Sequence, residues 1–275
     1  MHDKVLFHNP WGAGDLFESR GFVKECIRII PAKEYFYAHR QHPRTFADIS
    51  ILQYLPFDKL SIDSNILKIN TWIGQNGLKY GCTVESNYQM YNDILGNLGK
   101  LSGTPLDYLP TIDYTKFQIQ NIDIFLQQHT EDKILICNGD VLSGQAKNFD
   151  FGHSIYLLAQ KYPTKLFILT RKIPIQHPRI IYTDDITRTT DGFDINEISY
   201  LSTFCRILVG RYSGPHTCSQ VKQNWFDETK RLVTFTYRKL GCSFTSDPKT
   251  KMKQFWSPAI DNKGICETII RAIES

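Results

Sequence analysis

Short apolar runs alternate with longer segments of mixed polarity along this chain. Runs such as Val5–Phe7 and Ile207–Val209 have the length and continuous apolar character of buried strands. Between such runs, apolar residues recur every three or four positions, as they do on the buried face of a helix. Strands that alternate with helices predict parallel sheets with helices packed on both faces. The chain is therefore expected to belong to the α/β class.

The same pattern predicts the positions of the elements and a division of the chain. It predicts strands over residues 3–8, 34–38, 60–62, 67–71, 133–137, 166–169, 179–182, 207–209 and 232–235. It predicts helices over residues 14–30, 43–55, 85–101, 118–129, 151–161, 195–204, 215–225 and 264–273. Residues 102–115 contain two prolines and no apolar period, which is typical of a linker. Two domains are thus expected, residues 1–112 and residues 113–275.

Composition is that of an ordinary globular protein and bears on the ligand. Of 275 residues, 41% are hydrophobic and 22% are charged, and the formal net charge is +4. Lys and Arg are scattered rather than clustered, so the basic stripe typical of a protein that binds nucleic acid is missing. A mild positive charge suits a small anionic ligand such as a diphosphate.

Cysteine usage and hydropathy bear on the compartment. The seven cysteines include no Cys-x-x-Cys pair, which argues against a zinc site and fits free thiols in a reducing compartment. The N-terminus shows no signal-peptide pattern, and no apolar run approaches the roughly 20 residues of a membrane-spanning helix. We expect a cytoplasmic protein without a transmembrane segment, for which peripheral contact with a membrane stays open.

The first candidate site is the turn after the first predicted strand. Trp11, Gly12 and Gly14 lead into the first helix, and Asp15 falls in its first turn. A carboxylate there is stabilised by the helix dipole and can accept a proton from a substrate hydroxyl. Position alone, however, favours a residue that only starts the helix. The turn is not a dinucleotide fingerprint, because Phe17 replaces the third glycine.

Two further loops follow predicted strands of the second half, where open parallel sheets bind their ligands. Loop 138–150 is longer than most strand-to-helix loops, and it fits a binding loop and an ordinary polar loop about equally. Turn 213–217 fits an anion site and also a plain helix start. His39 is a weaker candidate for a ligand cleft. Candidate donor-side residues are Ser143, Gly144, Gln145, Asn148, Arg171, Ser213, Gly214, Pro215, His216 and Thr217.

Taken together, these segments resemble a GT-B glycosyltransferase and are most similar to the family 9, heptosyltransferase-like group. In that family a Gly-Asp turn follows the first strand, as Gly14-Asp15 does here. A small-residue turn before a helix holds the donor diphosphate and corresponds to Ser213-Gly214-Pro215. Tyr212 stands where the family has an aspartate, and Thr217 where it has a histidine. The segment Ser143-Gly144-Gln145 resembles the family's donor-side loop.

The resemblance implies two Rossmann-like parallel-sheet domains that face a central cleft, with an N-terminal acceptor domain and a C-terminal nucleotide-sugar donor domain. It implies inverting transfer of a sugar from a nucleotide diphosphate sugar to a hydroxyl of a glycan or lipid-linked acceptor, with Asp15 as the general base. Trp11, Gly12, Gly14 and His39 are then expected on the acceptor side of the cleft. The donor is a co-substrate, and no cofactor is expected. No metal is expected either, since Asp184-Asp185 is not an Asp-x-Asp pair.

Two other classes remain open at the level of the sequence. One is another enzyme on the same architecture, a nucleotide-sugar epimerase or hydrolase. The other is a module that binds a nucleotide sugar without catalysis. A nicotinamide-dependent oxidoreductase is disfavoured by the missing third glycine.

Overall fold

The computed structural model divides the chain into two compact units. The first runs through Lys116, and the second begins at Phe117. The structure describes residues 2–59, 65–72, 74–75, 84–101, 106–142, 144, 146–212, 214–237 and 250–275, without the side chains of residues 84, 85 and 215.

The first unit is a parallel sheet of four strands with helices packed against it. Its strands are β1 (His2–Asn9), β2 (Ala32–His39), β3 (Leu52–Pro56) and β4 (Ile66–Asn70), in the order β3-β2-β1-β4. Its helices are α1 (Ala13–Ile29) and α2 (Val84–Asn97), with short 3-10 helices at Pro43–Phe46 and Phe57–Lys59. Every strand pairing is parallel, so all strands end at the same edge of the sheet.

The second unit is a parallel sheet of six strands. The strands are β5 (Lys133–Cys137), β6 (Leu166–Leu169), β7 (Ile180–Tyr182), β8 (Ile207–Arg211), β9 (Arg231–Phe235) and β10 (Lys253–Ser257), in the order β10-β9-β8-β5-β6-β7. The helices are α3 (Gln120–Gln128), α4 (Gly152–Lys161), α5 (Thr183–Thr187), α6 (Ile195–Ser202), α7 (Gly214–Thr217), α8 (Lys222–Trp225) and α9 (Asn262–Ile273), with a 3-10 helix at Tyr114–Lys116 just before this unit.

Each unit has its own hydrophobic core. In the first unit, α1 and α2 pack together over the sheet, and the rings of Phe22 and Tyr91 stack with their centroids 4.1 Å apart. In the second unit, strands β5 and β6 are buried along their whole length, as expected where helices cover both faces of a parallel sheet. The predicted α/β class with two Rossmann-like parallel sheets is confirmed.

Two predicted helices are wrong in detail. The segment 43–55, predicted as one helix, is a 3-10 helix followed by strand β3, because β2 would otherwise leave its outer backbone N–H and C=O groups without partners. The segment 215–225 contains two four-residue helices, α7 and α8, rather than one. The chain between them makes tight turns, in which the amides of Ser219 and Gln220 donate to the carbonyls of His216 and Thr217. Strand β10 was not predicted, and the predicted strand 60–62 lies outside the described residues.

Candidate functional site

Two equivalent turns end the adjacent strands β1 and β4. Asn9 is the last residue of β1, and its side-chain oxygen accepts a hydrogen bond from the backbone N–H of Trp11 at 3.1 Å. Asn70 is the last residue of β4, and its side-chain oxygen accepts from the backbone N–H of Trp72 at 3.0 Å. These turns bring the two indoles together, with ring centroids 4.8 Å apart.

Asp15 is the third residue of α1 and is held from two sides. Its own backbone N–H and that of Gly12, the residue that caps the helix, donate to the Asp15 carboxyl group, and the side chain of Trp72 also hydrogen-bonds to it. Burial nevertheless dominates and raises the pKa of Asp15 to about 6. A carboxylate with a pKa near neutrality, held at the edge where the strands end, has the properties of a general base.

Glu18 lies one helical turn after Asp15 and forms a carboxyl pair with it. Burial, and next the nearby charge of Asp15, raise the pKa of Glu18 to about 8, while a hydrogen bond from Asn87 of α2 opposes the shift. At neutral pH Asp15 is therefore mostly ionised, whereas Glu18 mostly keeps its proton. Separated pKa values of this kind allow one carboxyl group to accept a proton while its neighbour remains a hydrogen-bond donor.

A buried chain of hydrogen bonds supports this edge of the sheet. The hydroxyl of Tyr37 contacts that of Ser19 at 2.9 Å and that of Thr71 at 2.6 Å. The side-chain amide of Asn9 donates to the Thr71 hydroxyl at 3.5 Å. These hydrogen bonds link β1, β2 and α1 to Thr71, the residue that follows β4. They fix the backbone from which Asp15 and the two indoles project.

The other predicted residues of the first site lie at the same edge. Gly12 and Trp11 are exposed, while Gly14 is buried in the first turn of α1. His39 ends β2 and is buried among the rings of Tyr37, Phe46 and Tyr54. Burial lowers the pKa of His39 to about 4, so its imidazole is neutral at physiological pH.

The second unit has its own cluster of polar side chains where β5 and β6 end. The side-chain oxygen of Asn138 accepts from the backbone N–H of Arg171 at 2.8 Å and from the Thr170 hydroxyl at 3.2 Å. The guanidinium of Arg171 pairs with Asp140 at 3.0 Å, and more than half of each side chain is exposed. An exposed ion pair is weak, so an incoming anion can compete with Asp140 for Arg171.

Arg211, at the end of β8, is a structural residue of this edge. Its guanidinium donates to the carbonyls of Phe149, Asn138 and Gly139 at 2.6–2.7 Å, and it lies over the rings of Phe149 and Phe151. It is 2% exposed. Arg211 therefore holds the loop after β5 in place.

Loop 138–150 is closed by its own side chains. The Asn148 side chain accepts from the backbone N–H of Val141 at 2.7 Å and donates to the carbonyl of the same residue at 3.1 Å. Gly144 has a φ of +67°, which favours glycine, and its carbonyl accepts a hydrogen bond from the hydroxyl of Tyr237. Ser143 and Gln145 lie outside the described residues.

The turn after β8 also differs in detail from the predicted arrangement. His216 is fully buried, its ring bonds the Thr234 hydroxyl at 2.9 Å, and burial lowers its pKa to about 3. A Cβ at Gly210 would lie 2.6 Å from the His216 ring, so this glycine makes room for the imidazole. Thr217 is buried, and Gly214 begins α7. Ser213 lies outside the described residues, as does the side chain of Pro215.

Sequence reasoning missed two residues of the first site, Glu18 and Asn87, and it reached Trp72 only as the start of a loop, residues 72–79, expected to bear on the choice of acceptor. A usable signal was present for Trp72, because Asn-x-Trp occurs at the end of two predicted strands, at 9–11 and at 70–72. Glu18 shares a helical face with Asp15 through its spacing of three residues. Asn87 reaches the site only through the packing of α2, which no local pattern predicts.

Two features are absent from the described residues, a cluster of metal-ligating side chains and a membrane-spanning helix. These residues contain no group of three or more His, Cys, Asp or Glu side chains arranged to hold a metal ion. Within the same part of the chain, no helix combines the length and the apolar character needed to cross a membrane.

The comparisons with known proteins identify the fold. No protein-family model and no curated protein matches the sequence. Among solved structures, a family 9 glycosyl transferase from Veillonella parvula matches with a TM-score of 0.62 and 10% identity, over 99% of this chain and 96% of that one. The E. coli heptosyltransferase WaaC with ADP matches with a TM-score of 0.56 and 12% identity, over 98% and 97%. The E. coli ADP-heptose LPS heptosyltransferase II matches with a TM-score of 0.53 and 11% identity, over 99% and 98%. The chain thus has the GT-B fold seen in family 9 heptosyltransferases.

Proposed function

From the GT-B fold and the Asp15 site together, we propose that this protein is an inverting, metal-independent glycosyltransferase. It moves a sugar from a nucleotide diphosphate sugar to a hydroxyl of a glycan or lipid-linked acceptor. The observation that carries the proposal is Asp15, a carboxyl group with a pKa of about 6 at the ligand-binding edge of the first sheet. An adenosine diphosphate sugar is the first donor to test, because ADP is bound in one matched heptosyltransferase structure.

In the proposed reaction, the Asp15 carboxylate removes the proton from the acceptor hydroxyl. The oxygen attacks the anomeric carbon from the face opposite the diphosphate. A new C–O bond forms as the bond to the diphosphate breaks, and the configuration at that carbon inverts. The nucleoside diphosphate leaves with the electron pair, and Asp15 keeps the proton until it is released to solvent.

The donor side of the proposal rests on the second unit. Arg171 is a cation exposed at the end of β6, and Asn138 fixes its backbone. The loop clamped by Arg211 and the turn that begins at Gly214 lie at the ends of β5 and β8, where parallel sheets bind nucleotides. Ser143, Gln145, Asn148, Ser213, Pro215 and Thr217 stay candidates for contacts with the diphosphate.

The substitution Asp15→Asn tests the assignment of the base. It should lower turnover by about 10²–10⁴-fold, the usual contribution of a positioned general base. Nucleotide binding should stay near the wild-type value, because the proposed donor residues belong to the other unit. The measurement is transfer from ADP-sugars to candidate acceptors, with binding of ADP, UDP, GDP, dTDP, CMP and NAD(P) followed by thermal shift.

The matched control is Glu25→Gln, which removes a carboxylate from the same helix where it pairs with Arg28 at 2.6 Å. It should leave turnover unchanged. Full activity in Asp15→Asn would remove Asp15 from the base role. Release of free sugar without transfer would instead point to a hydrolase, and a melting-point shift with NAD(P) alone would contradict the glycosyltransferase proposal.

A further inference from the structure

Trp11 and Trp72 form an aromatic surface beside Asp15, here called the tryptophan platform. Their rings are 4.8 Å apart and inclined by 31°. Trp11 is 49% exposed, and Trp72 is partly buried. Large aromatic side chains bury substantial area when they are covered, so an exposed pair of them marks a contact surface.

The platform is built into the fold rather than formed by chance contact. Asn9 and Asn70 fix the backbone of the two tryptophans through equivalent turns at the ends of neighbouring strands. Gly74 provides space for one ring, because a Cβ at this position would lie 2.7 Å from Cε2 of Trp72. The Trp72 indole can therefore adopt its position only while residue 74 has no side chain.

The platform is connected directly to the proposed base. An indole carries a single hydrogen-bonding group, its N–H donor, and in Trp72 this group serves the Asp15 carboxyl group. One edge of Trp72 thus contacts the carboxyl group while its face takes part in the platform. A ring lying on the platform would have its substituents within reach of Asp15.

The chemistry of this surface selects one class of ligand. A pyranose ring presents C–H bonds on one face and hydroxyls around its rim. The C–H groups carry a small positive charge and are attracted to the negative face of an aromatic ring, while a rim hydroxyl can donate to a carboxylate. The amide of Gln41, which bonds the Trp11 carbonyl at 3.4 Å, adds a polar group next to the platform.

We propose that the tryptophan platform is the acceptor subsite, where a pyranose ring stacks and presents one hydroxyl to Asp15. The acceptor is then a glycan rather than a simple alcohol. The inference rests on the proposed function for the role of the sugar as acceptor. The binding event itself requires neither a donor nor turnover.

The test is a ligand-observed NMR titration of the whole protein with three probes, methyl β-D-galactopyranoside, methyl α-D-mannopyranoside and methyl α-D-glucopyranoside. At least one should bind saturably and receive magnetisation from aromatic protons. Trp11→Ala should weaken that binding about tenfold, which corresponds to about 1.4 kcal/mol. Gly74→Ala should weaken it through displacement of the Trp72 ring, and this variant leaves Trp11 in place.

Two controls separate an effect on the tryptophan platform from general damage to the fold and from nonspecific binding of polyols. Phe204→Ala removes another exposed aromatic ring, 45% exposed in the second unit, and should leave binding unchanged. Sorbitol, an open-chain polyol, should not bind. The proposal is overturned if no pyranoside binds up to its solubility limit, if sorbitol binds equally well, or if Trp11→Ala binds like wild type.

The same experiment distinguishes failure of the subsite from failure of the proposed function. Pyranoside binding that depends on Trp11, in a protein that transfers no sugar from any donor, would keep the platform and overturn the transferase. Transfer that persists while Trp11→Ala leaves pyranoside binding and the acceptor KM unchanged would keep the transferase and overturn the platform.

Discussion

Two opposing influences set the pKa of Asp15. Its carboxyl group accepts hydrogen bonds at a helix N-terminus, which favours the charged form, while burial disfavours that form more strongly. The resulting pKa of about 6 leaves the group ionised at neutral pH yet basic enough to take a proton.

A pH profile follows from this value. Since only the ionised form of Asp15 is a base, kcat/KM should fall about tenfold for each unit of pH below about 6 and level off above it. The measurement is transfer rate against pH between 4.5 and 8, with protein stability checked at each point. If kcat/KM instead began to fall only near pH 4, burial would not be raising the pKa of Asp15.

Glu18 gives a second prediction, which needs no substrate. Its pKa is about 8 in the folded protein against an ordinary value of 4.5, so the folded state binds this proton more tightly than the unfolded state does. The contribution of Glu18 to the stability of the wild type therefore falls as pH rises from 4.5 toward 8. Glu18→Gln carries no such charge, and its melting temperature relative to wild type should rise across that interval.

The comparison is made by thermal unfolding at a series of pH values. Glu25→Gln, on the same helix and paired with Arg28, serves as the control and should not reproduce the rise. A difference between Glu18→Gln and wild type that stays constant from pH 4.5 to 8 would show that Glu18 is not held protonated by the fold.

At the scale of elements, helix α1 connects the site to the rest of the first unit. Arg20 and Lys24 both pair with the buried carboxylate of Asp48, and Lys24 also donates to the carbonyl of Thr111 at 2.6 Å. On another part of the helix, Gly21 lets the backbone at Tyr108 approach closely. Tyr108 and Thr111, which belong to the predicted linker, therefore pack against the helix that carries Asp15.

Gly21→Ala tests this packing. A Cβ at position 21 would lie 2.7 Å from the Cα of Tyr108 and overlap its carbonyl, so the substitution should destabilise the protein by about 1–3 kcal/mol despite the better helix propensity of alanine. Chemical denaturation measures the change. Gly96→Ala, on α2 with no atom of the described residues within 4 Å of the added Cβ, is the matched control and should be neutral or stabilising.

At the scale of the molecule, each unit has its own parallel sheet and its own hydrophobic core. Each also has a cluster of polar side chains at the edge where its strands end. This repetition predicts separate ligand footprints in hydrogen exchange. A bound nucleoside diphosphate should slow exchange of the amides that follow β5, β6 and β8. A bound pyranoside should slow exchange of those that follow β1 and β4, and nucleotide protection confined to the first unit would reverse the proposed division of roles.

Elements that are explained by their own residues could be predicted from the sequence, whereas elements that depend on a neighbouring strand could not. Strands such as β5 and β6 were predicted from their residues alone, because a strand covered on both faces must be apolar throughout. Strands β3 and β10 lie at sheet edges, and nearly all of their residues are exposed or only partly buried. Each is a strand because the strand before it in the chain needs hydrogen-bond partners at its outer edge, and no pattern within the segment itself indicates this.

The α/β class and the place of Asp15 in the first turn of α1 follow from the residues alone, because they depend on the period of apolar residues and on one short turn. The surroundings of that carboxyl group depend on contacts between segments that are far apart in the chain. Burial and the hydrogen bond from Trp72 set its pKa together with the backbone amides of the turn, and Trp72 lies 57 residues away, just past the end of β4. A pKa depends on the charges and solvent within a few ångströms, and it is the pairing of β1 with β4 that brings Trp72 to that distance.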